Sequence, residues 1–123
     1  MSQYNKPPML GSWQLVTGEC RNDNNGEQVQ YQDVQLRSLK VLSETHFSFI
    51  THQGDAFYFA AAGSYCCEGD QYTEQLDFAS HPSMMHREFV FQFRIDGDLW
   101  HNTRWENGVQ VEHEIWRRLD SKK

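Results

Sequence analysis

Large side chains recur at every second position along several stretches of the chain: Phe47 and Phe49; Tyr72, Glu74, Leu76 and Phe78; Phe89, Phe91, Phe93 and Ile95; Val109, Val111, His113 and Ile115. A period of two lines one face of a β-strand, whereas on a helix it would smear the apolar groups around the axis. Between these runs lie Asn25-Gly26, Gln53-Gly54-Asp55, Glu68-Gly69-Asp70, Asp96-Gly97-Asp98 and Asn107-Gly108, all suited to tight turns with positive φ. The pattern predicts strands near Gly11 to Glu19, Glu27 to Gln32, Leu36 to Leu42, His46 to Thr51, Ala60 to Cys67, Gln71 to Ala79, Glu88 to Ile95, Leu99 to Trp105 and Val109 to Leu119. Arg21 to Gly26 is expected as a loop. So is His81 to His86, where Pro82, Met84 and Met85 interrupt two clear strands. Strands this numerous, joined by short turns, form an antiparallel meander that most simply removes its exposed edges by closing on itself. The expected fold is all-β, an antiparallel up-and-down β-barrel of eight to ten strands over residues 10–119. Residues 1–9 form a lead segment and 120–123 a tail.

Length and composition narrow the classes of function. The 123 residues make one domain, and 38% hydrophobic with 14% aromatic residues is too rich in large apolar groups for a disordered chain. A net charge of −6 repels phosphate backbones and anionic lipid, so neither nucleic acid nor membrane is an expected partner. No apolar run approaches a membrane span, and Pro7 and Pro8 fall where a signal peptide needs an apolar core, which makes the expected location cytoplasmic. Cys20, Cys66 and Cys67 are odd in number and, like the six histidines, show no zinc-site spacing. No metal and no cofactor are expected. Nucleophile elbows, phosphate-binding glycine loops and zinc-protease motifs are also missing, so no catalytic residue is assigned.

The opening Leu10-Gly11-Ser12-Trp13 and the closing Glu114-Ile115-Trp116-Arg117-Arg118 together resemble the lipocalin pattern. Between them, Gly63-Ser64-Tyr65, Glu68-Gly69-Asp70-Gln71-Tyr72-Thr73-Glu74, Ser80-His81-Pro82-Ser83 and Ile95-Asp96-Gly97-Asp98 look like the short bacterial and fungal lipocalin-like domain family, a calycin-type barrel. The resemblance implies that Trp13 plugs one end of the barrel with Arg117 or Arg118 laid over its ring. It also implies an interior able to hold a ligand.

An eight-stranded barrel is just wide enough to be filled by side chains or to hold one small molecule. Taking one face per strand, the expected ligand-binding positions are Phe49, Tyr65, Tyr72, Glu74, Phe78, Phe91, Trp100, Asn102 and Arg104. The last strand faces inward through either His113 and Ile115 or Glu114 and Trp116. Glu74 is the most informative of these, because a carboxylate on an apolar face needs a partner; Arg104, Asn102 and a tyrosine hydroxyl are the candidates. His81 and His86 flank a Met84-Met85 segment suited to an adaptable entrance. The leading expectation is a binding protein for a small, apolar or amphipathic molecule. An isomerase or cyclase using the same cavity is the alternative. So is a filled-core interaction protein, in which Phe57-Tyr58-Phe59 or Trp105 forms a homodimer surface.

Overall fold

A computed structural model of the chain describes residues 6–21 and 25–119. The expected tail, the first five residues of the lead segment and the middle of the Arg21 to Gly26 loop lie outside these. Among the described residues nine strands follow in order: β1 (Gly11–Arg21), β2 (Gln28–Gln30), β3 (Leu36–Leu42), β4 (His46–Gln53), β5 (Ala56–Glu68), β6 (Gln71–Ala79), β7 (Glu88–Asp96), β8 (Leu99–Glu106) and β9 (Val109–Arg118). A single 3₁₀ turn (Pro82–Met84) lies between β6 and β7. Neighbouring strands pair antiparallel, and β1 pairs with β9, so β1 and β3 to β9 close into an eight-stranded barrel. The short β2 pairs only with the far half of β1 and stands outside that ring. No helix among the described residues is long and apolar enough to cross a membrane.

The turns follow the expected chemistry: Asn107 (φ 52) and Gly108 (φ 77) form a two-residue hairpin with both central residues left-handed, the geometry that matches the twist of β8 and β9. Strand β5 begins at Ala56, four residues earlier than the pattern suggests, because Ala56 and Phe57 pair with Gln53 and His52.

One end of the barrel is closed. Trp13 is fully buried there, and its indole N–H donates to the carbonyl of Met9 at 2.8 Å. Arg118, rather than Arg117, covers its ring at 4.3 Å and donates to the carbonyls of Leu10 and Pro8. Trp100 meets Trp13 edge-on at 5.1 Å and Tyr72 at 5.0 Å, and Leu42, Phe47 and Tyr65 complete the core of this half, with Trp116 at its upper boundary.

Phe78 corrects the expected alternation. Ala62 pairs with Phe78 but Gly63 pairs with Leu76, so Asp77 is an extra residue that turns Phe78 out to 70% exposure while Leu76 stays inside. Phe78 is therefore outside the barrel and is not an interior ligand contact. The bulge depends on Gly63, where a Cβ would stand 1.8 Å from the Gln75 carbonyl oxygen. Across the outer wall, Leu39 opposes Ile50 and Ile50 opposes Ala60, an apolar row beside Phe78 and Ala62.

Candidate functional site

The half of the barrel opposite Trp13 is hollow. A cavity of about 440 Å³ opens there, in the range of small-molecule sites though near its lower end. Its apolar wall consists of Leu15, Leu36, Phe49, Phe59, Phe89 and Phe91, with Tyr58 and Met84 also in the lining. Met84 comes from the 3₁₀ turn, and His81 just before it stacks on Phe59 at 5.6 Å, so the Met84 segment does sit against the cavity. His86 is exposed and is absent from the lining.

The polar side of the cavity is built by strands that face one another across the barrel. Strand β3 turns Ser38, Lys40 and Leu42 inward and leaves Leu39 and Val41 nearly half exposed. Lys40, which the hydrophobic pattern did not bring forward, is the partner of Glu74: its ammonium lies 2.7 Å from the carboxylate, with both side chains at least 95% buried. The Tyr72 hydroxyl donates to the same oxygen at 2.6 Å. Neither Arg104 nor Asn102 bonds to Glu74, which corrects that expected pairing. The ammonium also lies over Trp116 at 4.7 Å and over Phe49 and Trp100 at 5.3 Å. Burial works to lower the Lys40 pKa, but the carboxylates of Glu74 and Glu114 outweigh it and the net shift is upward. Lys40 is thus a fixed cation, unsuited to act as an amine nucleophile. Burial first, and Glu74 second, hold the Tyr72 phenol well above its ordinary value.

The parity of the last strand is settled by its contacts. Glu112, Glu114 and Trp116 line the cavity, whereas His113 stacks with His101 at 5.9 Å away from it. Arg104 donates to Glu112 at 3.1 Å and to Glu106 at 2.7 Å, and the Tyr31 hydroxyl donates to the other Glu112 oxygen at 3.0 Å. Glu114 accepts the Trp116 indole N–H at 3.0 Å and shares a hydrogen bond with Glu112. Burial, and then the Glu112 charge, push the Glu114 carboxyl up to about 8, against the opposing pull of Lys40. The neighbouring Glu112 and Glu114 carboxyls therefore favour sharing one proton at neutral pH, with Glu114 the member whose burial favours holding it at the cavity wall.

This protonation carries a stability signature. An unfolded glutamate loses its proton near 4.5, while the folded one holds it to about 8. Between those values the folded state binds more protons, so stability from this group is fully present below the lower value and is lost as pH rises through the window. Urea unfolding across that range is expected to show a slope in wild type, bounded at about 1.4 kcal/mol per pH unit, that Glu114→Gln flattens. An unchanged slope in the variant would refute a protonated Glu114.

The other expected positions are dispersed. Phe49, Phe91, Glu74 and Arg104 line the cavity; Tyr72 and Trp100 lie beneath its polar floor; Tyr65 lies in the closed half and donates its hydroxyl to the Ser43 carbonyl at 2.6 Å. Asn102 is fully buried opposite Glu114, and its amide has no hydrogen-bond partner among the described residues. No disulfide joins the three cysteines, and among the described residues no group of three histidine, cysteine or acidic side chains could hold a metal.

A family model described as a domain of unknown function, DUF4488, matches residues 8–123. No curated protein and no solved structure matches the chain.

Proposed function

The chain belongs to the DUF4488 family, a domain of unknown function, and we propose that this member is a lipocalin-like binding protein that holds one small amphipathic molecule inside its barrel. The observation that carries this reading is the asymmetry of the interior: one half is packed solid around Trp13, while the other keeps a cavity of about 440 Å³ with an aromatic wall and a buried polar floor. A purely structural core gains nothing from an enclosed ion pair, since apolar residues of similar volume serve as well or better. A filled-core protein would also close both halves. An apolar body fits against Phe49, Phe89 and Phe91, and a polar end reaches Glu114. Lys40 and Glu74 form the polar floor of the cavity, and Tyr72 beneath them holds the Glu74 carboxylate in place. Native mass spectrometry after incubation with uncharged amphipathic compounds is expected to show one added molecule per chain, lost on denaturation. Bare protein at every compound tested would contradict interior binding.

A second copy of the chain is the subsidiary partner. Ile50, Phe57, Tyr58, Phe78 and Trp105 are all more than half exposed, and the Leu39, Ile50 and Ala60 row is uncharged. At a strand spacing of about 4.8 Å this row spans only a few hundred Å², below the roughly 800 Å² per partner of a stable interface. Association is therefore weak, and sedimentation is expected to show dimer only as concentration rises. Monomer alone at high concentration would remove this reading.

A further inference from the structure

We propose that the molecule held in the barrel is uncharged and carries a carbonyl-type hydrogen-bond acceptor at its inner end, which takes its hydrogen bond from the Glu114 carboxyl. This rests on the interior-binding reading above and deepens it. The charged groups around the cavity are already paired. Lys40 on β3 is held by Glu74 on β6 at 2.7 Å, with Tyr72 completing that carboxylate. Arg104 on β8 is held by Glu112 and Glu106, and the second Glu112 oxygen takes the Tyr31 hydroxyl. Each cation in the interior therefore has its carboxylate, and each of those carboxylates has its donors. An anionic head would add a further negative charge beside the Glu74, Glu112 and Glu114 carboxyls with no unpaired cation to balance it, and a cationic head would meet Lys40 and Arg104 without a free counter-charge.

Glu114 differs from the rest. It lines the cavity, and the one N–H it accepts comes from its own strand neighbour Trp116. Its proton bridges to Glu112 within the protein, but Glu112 keeps Arg104 and Tyr31 without it, so that proton can be handed to a ligand without breaking either charge pair. The groups that bear on Glu114 are Glu112 on its own strand, Lys40, Glu74 and Tyr72 from the floor, Arg104 from β8, and Tyr31 and Cys20 at the β1 side of the cavity. The exposed Arg21 at the rim donates to the Gly26 carbonyl and is screened by solvent.

Four naphthalenes with one body and different heads test the assignment: 2-acetylnaphthalene (neutral acceptor), 2-ethylnaphthalene (no polar head), 2-naphthoate (anion) and 2-(aminomethyl)naphthalene (cation). At pH 7 the ketone is expected to bind about tenfold more tightly than each of the others, the worth of one well-made hydrogen bond in a desolvated site. That advantage is expected to vanish above about pH 9 in wild type as the donor ionises. It persists at all pH in Glu114→Gln, whose amide still donates, and is absent at all pH in Glu114→Leu. Tighter binding of the naphthoate or the amine, or equal binding of the ketone and the ethyl compound, would overturn the proposal while leaving interior binding intact. A ketone preference whose pH dependence survives Glu114→Gln would also overturn it. Failure of all four to bind would remove interior binding itself, and this inference with it.

Discussion

Lys40→Met is expected to cost about 3 to 5 kcal/mol of folding stability, because it strands the Glu74 carboxylate in a site with no other cation beside it. The Lys40 and Glu74 side chains are 3% and 5% exposed, so water cannot take over the lost partner. The Tyr72 hydroxyl remains, but one neutral donor does not balance a buried charge. Methionine matches the aliphatic stem and keeps contact with Phe49, Trp100 and Trp116, so the loss isolates charge rather than packing. Glu74→Gln is expected to cost less, since Glu114 stands near enough to Lys40 to ionise and take up part of the role. The double variant should recover much of the Lys40→Met loss, because removing both charges leaves neither uncompensated. Urea unfolding of the two single variants and the double variant measures this coupling. Additive losses would mean that the pair is not coupled in the folded protein.

Gly63→Ala is expected to be the most damaging small substitution, at about 3 kcal/mol or more. Its Cβ would lie 1.8 Å from the Gln75 carbonyl oxygen and 2.9 Å from the Asp77 amide nitrogen, and both are backbone atoms of the adjoining strand that no rotamer change can move aside. Relief requires β5 and β6 to separate at the bulge that turns Phe78 outward. That movement also displaces Leu76 and Glu74, so the variant should lose ligand affinity together with stability. A denaturation midpoint within experimental error of wild type would show that the close approach at Gly63 does not exist in solution.

The architecture was legible where period and turn chemistry agreed. Phe89, Phe91, Phe93 and Ile95 marked β7, and Asn107-Gly108 marked the hairpin that follows β8. The closed end was also legible in Trp13, with the choice between Arg117 and Arg118 decided only by strand parity. What failed was the use of hydrophobicity to choose a strand's inner face. In β3 the larger apolar residues Leu39 and Val41 point out and Ser38 and Lys40 point in, the reverse of the usual alternation, so Lys40 carried no signal in a list built from apolar faces. Phe78 failed for a different reason: a period of two cannot reveal an inserted residue such as Asp77. Glu74 is legible as a buried acid, but its partner lies 34 positions away, and no local pattern links the two. For the last strand, His113 and Glu114 are both polar, and only the barrel's closure against β1 shows which one faces the cavity.

The four tryptophans provide a site-resolved test of whether the interior is a binding site. Trp116 lines the cavity, Trp100 lies beneath its floor, Trp13 is sealed in the closed half and Trp105 is 51% exposed. The measurement is a ¹⁵N-¹H correlation spectrum of the indole N–H resonances during titration with an uncharged naphthalene. The expected result is a saturable shift of the Trp116 resonance, a smaller one at Trp100, and none at Trp13 or Trp105. Shifts confined to Trp105, or no saturable shift at any indole, would contradict interior binding.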